Sequence, residues 1–294
     1  EPAENLITTH MMEKHHMKNR FFNRETAEEL RIDIGQFDII TANNVFAHTR
    51  DLREFAESVE HLLSDEGIFV FEVQYLKSLI DNCLFDMIYH EHTSYHHLMP
   101  LIEVLPKYGL TVYKSKIIET HGGSLRVYCK KNHSNSRIDK SVQQILKAES
   151  KLSGETLSEE IRNLYINTRD RLHKIDNFIQ ENNHIKIIGY TAPAKATTLI
   201  SGLNKESQKK IKLIIDDAPF KRNKFIPGTK IKVVSQAEIN NQLESADNNE
   251  KLICILFAWN IADTLYDKIK KSKLLPSETT YVTPLPTIKV IDNE

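Results

Sequence analysis

Hydrophobic and polar positions along the first half of the chain alternate between two periods. Residues 37–45 (FDIITANNV) are densely apolar and end in two amides, which predicts a strand. Asp51 with Glu54 three places on reads as a capping box. Leu52, Phe55, Val59, Leu62 and Leu63 then recur at spacings of three and four, one face of a helix that Gly67 is expected to stop. The run 68–73 (IFVFEV) predicts the next strand, so strand, helix and strand follow in the order of a parallel βαβ unit. A helix over 98–108 leads through Gly109 into a strand over 110–118. Leu125, Val127 and Cys129 alternate with Arg126, Tyr128 and Lys130, the pattern of a half-exposed strand antiparallel to its predecessor.

Between 138 and 183 the period becomes helical throughout: Val142, Ile145, Leu146, Ile161, Leu164, Leu172, Ile175 and Ile179, with a break expected near Gly154. From 185 strands and helices alternate again: IKIIGY, a helix from Lys195 to Leu203, KLIIDD, TKIKVVS, a helix near 237–244, KLICILFAW, a helix near 261–272 and TTYVTP. The pattern predicts an α/β protein with an α/β region at 1–135, a helical connector at 136–184 and a second α/β domain at 185–294.

Charge narrows the function classes. With 39 basic and 40 acidic side chains the chain has no field to draw in nucleic acid or an anionic membrane, so neither is an expected partner. The longest apolar runs are strand-sized, far below the roughly 20 residues of a membrane span. Cys83, Cys129 and Cys254 are too scattered for a disulfide framework or a cysteine zinc site, and a reducing cytoplasm is expected. Glycine is scarce: 9 residues in 294, with no G-x-G, so neither a phosphate loop nor a dinucleotide fingerprint is present. The first residue is Glu1 and not methionine, consistent with a processed, trimmed or partial chain.

Polar residues that can carry chemistry collect at predicted strand ends. Tyr89, His90, Glu91 and His92 are followed closely by Tyr95, His96 and His97. Histidine beside glutamate suits proton abstraction near neutral pH; His92 and His96, spaced i and i+4, also suit a metal; a polar loop is the third reading. The HExxH order is not met, because the glutamate precedes the first histidine of that spacing. Asn43, Asn44 and His48 stand at the carboxyl end of a predicted parallel strand, where open α/β sheets take ligands, though such residues also simply end strands. His121-Gly122-Gly123-Ser124 with Arg126 reads either as a phosphate-approaching turn or as an ordinary hairpin. Lys195, opening a helix after Gly189-Tyr190-Thr191-Ala192, suits an anion site or a surface turn, and Trp259-Asn260 ends a strand in the same half.

The strings EPAENL, ANNVFAH, FEVQYL, FDMIYHEHTSY, HGGSLRVY, GYTAPAK, DDAP…PGT and LFAWN occur in this order from Glu1 to about Leu285. Through them the chain resembles the sugar C-methyltransferases, which use S-adenosylmethionine to methylate C3 of nucleotide-linked keto-deoxysugars. The resemblance implies a truncated Rossmann-like methyltransferase domain at 1–135 and a C-terminal α/β domain that helps to hold the nucleotide-sugar. It also implies an N-terminal zinc module and a glycine-rich cofactor loop, neither of which is among these residues; the loop is expected just ahead of Glu1. Glu1 matches the ribose ligand, with Asn43 and Asn44 near the rest of the cofactor. Tyr89, Glu91 and His92 match the active-site motif, His92 as base and the other two orienting the sugar and the enolate. His48 matches an active-site histidine. Tyr75, His121, Gly122, Ser124, Arg126, Lys195, Trp259 and Asn260 are expected on the substrate side, and no resident metal is expected.

Two departures stand out. Arg20, preceded by Asn19, occupies the place of an acid that contacts adenine in the family. Thr191 occupies the place of a glycine, where φ > 0 is costly for a side chain. A non-catalytic nucleotide-sugar-binding module, or a metal enzyme built on His90–His97, are the alternative readings.

Overall fold

The computed structural model describes residues 17–134, 137–239 and 251–291. Contacts divide the chain into two units, Glu1–Lys77 with Glu91–Ser153, and Ser78–His90 with Gly154–Glu294.

In the first unit four strands lie in the order β1-β2-β4-β3: β1 (Phe37–Asn43), β2 (Leu63–Gln74), β3 (Leu110–Ile118) and β4 (Ser124–Lys131). β1 and β2 are parallel, while β4 runs antiparallel to both β2 and β3. Before them α1 (Arg24–Asp33) starts at Asn23, whose side chain accepts from the Thr26 N–H. Between β1 and β2, α2 (Leu52–Leu62) is capped by Asp51, which accepts from the Glu54 N–H at 2.9 Å. The expected reciprocal half of that box is redirected, since Glu54 accepts from the Arg24 N–H. Gly67 does not stop α2. The helix ends at Leu62, and Gly67 lies inside the 12-residue strand β2, in the stretch where the register with β1 shifts.

Alternation on β2 and β4 puts Phe69, Phe71, Val73, Leu125, Val127 and Cys129 into one core with Phe46, Phe55, Val59 and Leu98. After α4 (Leu98–Val104), Gly109 at φ 83° ends the last helical turn, a left-handed position that a side chain would strain. The helix α5 (Lys140–Ala148) packs on β3, and its Val142 and Ile145 join the same core. It therefore groups with the first unit, although its sequence period resembles the helices that follow. The fully buried Glu149 closes this region by accepting from the N–H groups of Leu98 and Met99 at 2.7 and 2.9 Å. A carboxylate there answers the free donors and the positive end of α4.

The second unit holds six strands in the order β10-β9-β8-β5-β6-β7: β5 (Lys186–Tyr190), β6 (Ile211–Ile215), β7 (Lys232–Val234), β8 (Leu252–Leu256), β9 (Thr280–Thr283) and β10 (Lys289–Ile291). All pairings are parallel except β9 with β10. The strand order reverses between β5 and β8, the switch point at which α/β sheets leave a crevice at the carboxyl ends. α6 (Gly154–Glu181) is one 28-residue helix; the expected break falls at 149–153, before Gly154. α7 (Ala194–Gly202), α8 (Lys205–Lys210) and α9 (Ala262–Ser272) complete the unit, with α3 (Leu76–Asp81) carrying the chain from the first unit into 78–90. The helix expected near 237–244 falls largely outside the described residues. No helix among them is long and apolar enough to cross a membrane.

Candidate active site

Strand register gathers most of the sequence-derived candidates of the first unit at one rim of its sheet. Asn43 pairs with Glu72, Glu72 with Arg126, and Arg126 with Lys116, so one polar row crosses all four strands. One pair further along β2, Gln74 lies opposite Ser124, immediately before Tyr75 and immediately after the His121–Gly123 turn. β1 and β2 end at this rim because they are parallel, and β4 begins there because it is antiparallel.

Asn44 turns the chain out of β1 with φ 54°, a conformation asparagine tolerates better than most residues. Its N–H donates to the Glu72 carbonyl, and its side-chain amide lies 3.4 Å from His121 Nε2. His121, Gly122 and Gly123 all have positive φ (54°, 80° and 125°), a sharp turn in place of a simple hairpin. The Gly123 carbonyl is held by the Tyr75 N–H and the Gln74 amide.

Thr93, which the sequence reading passed over, organises the histidines. Its N–H and hydroxyl both donate to the Ala47 carbonyl at 3.1 Å, and the hydroxyl also reaches the Thr49 carbonyl. This staple fixes the loop after Glu91 against the turn Phe46–His48. His92 and His48 come together as a result, ring centroids 5.1 Å apart and edge to face, with Tyr95 next to His92 at 6.1 Å. Both histidines are half-buried, while Asn43, Asn44 and Glu91 are exposed. Glu91 makes no hydrogen bond or ion pair among the described residues. Tyr89 is half-buried and belongs to the segment Ser78–His90 of the second unit. Glu1 lies outside the described residues.

Glu72 is the carboxylate that sequence reasoning missed. It is 5% exposed, and Arg126 reaches it with Nε at 2.9 Å and Nη2 at 2.6 Å. The guanidinium expected to meet a phosphate is thus already paired, although a third of the side chain stays open to solvent. A lone acid inside the apolar run 68–73, facing an arginine on an alternating strand, was the available signal. Ser124 and Tyr75 are buried, and the Ser124 hydroxyl donates to the Thr120 carbonyl, which leaves it a turn-forming role.

His96 and His92 do different work. His96 is buried beneath Phe46, with Ser94 Oγ 2.9 Å from its Nε2. Burial, and secondarily the neighbouring His97, hold its pKa down to about 4, so it stays neutral near pH 7. No group of three His, Cys, Asp or Glu among the described residues is placed to hold a metal ion. The unfolded chain binds the His96 proton near pH 6.5 and the folded chain only near pH 4. Stability should therefore fall as pH drops through that window, by roughly 3 kcal/mol in all, and rise again with pH. Urea melts of the wild type and His96→Gln at pH 7 and pH 4.5 check this: the variant should lose less stability on acidification.

In the second unit Lys195, Trp259 and Asn260 meet at the switch point, at the ends of β5 and β8. The Lys195 ammonium lies over the Trp259 ring, 4.6 Å from its centroid, and donates to Asn260 Oδ1. Lys195 and Trp259 are buried, and burial lowers the lysine pKa to about 8. Thr191 adopts φ 65° in spite of its branched side chain. The left-handed turn is thus retained without the glycine, at a cost of about 1–2 kcal/mol. Its N–H donates to the Ile215 carbonyl, and Asp216 accepts from the next N–H, that of Ala192. Arg20, at the other departure, pairs with Glu29 at 2.5 Å.

Residues 3–115 match the family model described as a methyltransferase domain, and residues 119–286 match the one described as the C-methyltransferase C-terminal domain. The chain is 29% identical over 276 residues to C-methyltransferase NovU of Streptomyces niveus. That alignment covers 93% of this chain and 63% of the relative, so the chain spans less than two thirds of that protein's length. A Rossmann-like methyltransferase sheet followed by a second α/β unit agrees with both matches. The chain belongs to the family of the C-methyltransferase C-terminal domain, preceded by methyltransferase-domain sequence.

Proposed function

We propose that the protein transfers a methyl group from S-adenosylmethionine to C3 of a nucleotide-linked 4-keto-deoxysugar, with His92 as the base. The observation that carries this reading is the His48–His92 pair, set by Thr93 beside the exposed amides of Asn43 and Asn44 at the carboxyl end of a parallel strand. Exposed amides at such a strand end fit the polar parts of the cofactor, which Asn43 and Asn44 would hold. When bound, S-adenosylmethionine supplies an electrophilic methyl group.

His92 takes the proton from C3, which is acidified by the adjacent C4 ketone, and the electron pair moves toward the ketone oxygen. Tyr89 serves as a donor to that developing oxyanion, and Glu91 orients the sugar hydroxyls. His48, edge to face with His92, limits the directions its ring can take. His121 and the glycine turn offer a polar surface to the substrate at the same rim as Asn44, with Arg126 open on one side. Orientation of the acceptor carbon supplies much of the rate, as expected for transfer between two bound molecules. The three cysteines are buried free thiols, which fits a cytoplasmic setting.

The full-length gene product, incubated with methyl-13C-labelled cofactor and a nucleotide-linked 4-keto-deoxysugar, should give a labelled methyl carbon bonded to sugar carbon in the NMR spectrum. Label on oxygen, or no transfer to any ketosugar while the cofactor binds, would refute the reading.

A further inference from the structure

Asp86 has no part in the proposed active site, yet among the described residues it is one of the most completely buried acids. It sits in the one-turn helix Phe85–Met87, all three residues of which are buried. Although this turn precedes Glu91 in sequence, its contacts place it in the second unit, packed on α7. Asp86 Oδ2 accepts from the Trp259 indole N–H at 2.7 Å. Lys195 stands over the face of the same indole, and its charge favours the ionised form of Asp86. The other oxygen of Asp86, Oδ1, is buried without a hydrogen-bond partner among the described residues, and burial raises the carboxyl pKa to about 6.

The carboxyl-end crevice at the β5/β8 switch point is where an α/β sheet would take a ligand. Its tryptophan is engaged by Asp86 and its lysine by Asn260, both side chains of the same unit. A buried carboxylate with an indole donor makes a specific fastening, because either partner left alone would carry an uncompensated polar group. Tyr89 lies three residues beyond Asp86 in the same unit, and the chain runs directly on into Glu91 and His92.

We infer that Asp86 is a positioning residue: through Trp259 it fastens the turn Phe85–Met87 and so sets the backbone of the segment that runs on to Tyr89 and His90. Trp259, with Lys195 over its ring, then acts as the socket of this fastening and not as a phosphate site. The inference rests on the proposed role of Tyr89 for its kinetic consequence, but its structural content is independent of it.

The test uses the full-length gene product with Asp86→Ala, Asp86→Asn and Trp259→Phe. The indole N–H resonance of Trp259, identified by its loss in Trp259→Phe, should shift upfield in Asp86→Ala and largely return in Asp86→Asn, which keeps an acceptor. Amide exchange over 85–90 should accelerate at least about 10-fold in Asp86→Ala with the rest of the chain unchanged. In methyl transfer, Asp86→Ala should lower kcat about 100-fold, the scale of a displaced reacting group, with KM for the sugar nucleotide within about twofold. Asp86→Asn should recover most of that loss. Should Asp86→Ala fail to fold, Trp259→Phe removes the donor while keeping a ring, and should show the same kcat loss and faster exchange. Unchanged exchange over 85–90, or a rise in KM with kcat intact, would overturn the inference, the latter by returning Lys195 and Trp259 to ligand binding. A wild-type protein without methyl transfer would refute the proposed function alone, leaving the exchange and resonance results to decide the fastening.

Discussion

Replacing His92 by alanine is expected to lower the rate of methyl transfer by about 100- to 10,000-fold, the range a positioned general base supplies. The loss should lie in kcat. In the proposed mechanism only the proton-transfer step needs the imidazole, whereas the amides of Asn43 and Asn44 and the glycine turn belong to other segments. The fold should survive, because His92 is half-buried in a loop that Thr93 holds through its own hydrogen bonds. His48→Ala removes only the neighbouring ring and should cost much less. Initial rates at saturating substrate, with a circular dichroism spectrum for each variant, separate the two. Equal losses for both histidines would mean that they act as one unit.

Phe71→Ala carries the largest expected loss of stability. Phe71 is fully buried in the C-terminal half of β2, between Ala42 on β1 and Val127 on β4. Its ring lies 4.4 Å from that of Phe46 and 5.2 Å from that of Phe69. Removing a ring from such a packed row costs about 3–5 kcal/mol, a large part of the 5–15 kcal/mol that usually separates folded from unfolded chains. The loss should also weaken the support of the turn Phe46–His48, and with it the seat of His48. Denaturant unfolding should show the midpoint falling with little change in slope. A loss below about 1 kcal/mol would mean that the first sheet is not packed as described.

Strand periodicity was the most legible part of this chain. The run from Leu110 to Ile118 reported its strand, and the alternation Leu125–Val127–Cys129 reported both a strand and its inward face, because one side of that strand is buried. Gly67 misled because glycine ends helices and also sits in irregular strands, and only the register with β1 distinguishes the two. The helix Lys205–Lys210 went unseen because KESQKK has no apolar face; it is held by Asn204, which accepts from the Ser207 N–H.

Within the candidate site, the residue types were legible and their partners were not. Histidines, amides and glycines at strand ends announce polar chemistry locally. That Arg126 is answered by Glu72, that Thr93 reaches Ala47, and that Asp86 reaches Trp259 across 173 residues of sequence are consequences of tertiary pairing. Thr191 is the converse case. Sequence made a positive φ look unfavourable, and the β5–β6 pairing imposes it anyway, with the Thr191 N–H fixed on the Ile215 carbonyl.

In the proposed reaction His92 removes a proton from the carbon that receives the methyl group. Its most direct test is deuterium uptake from heavy water into a nucleotide-linked 4-keto-deoxysugar, followed by NMR on the full-length gene product and its His92→Ala variant. Exchange is expected at C3 alone, slowed at least about 100-fold in the variant. Exchange at C3 that proceeds at the wild-type rate without His92 would contradict its role as the base.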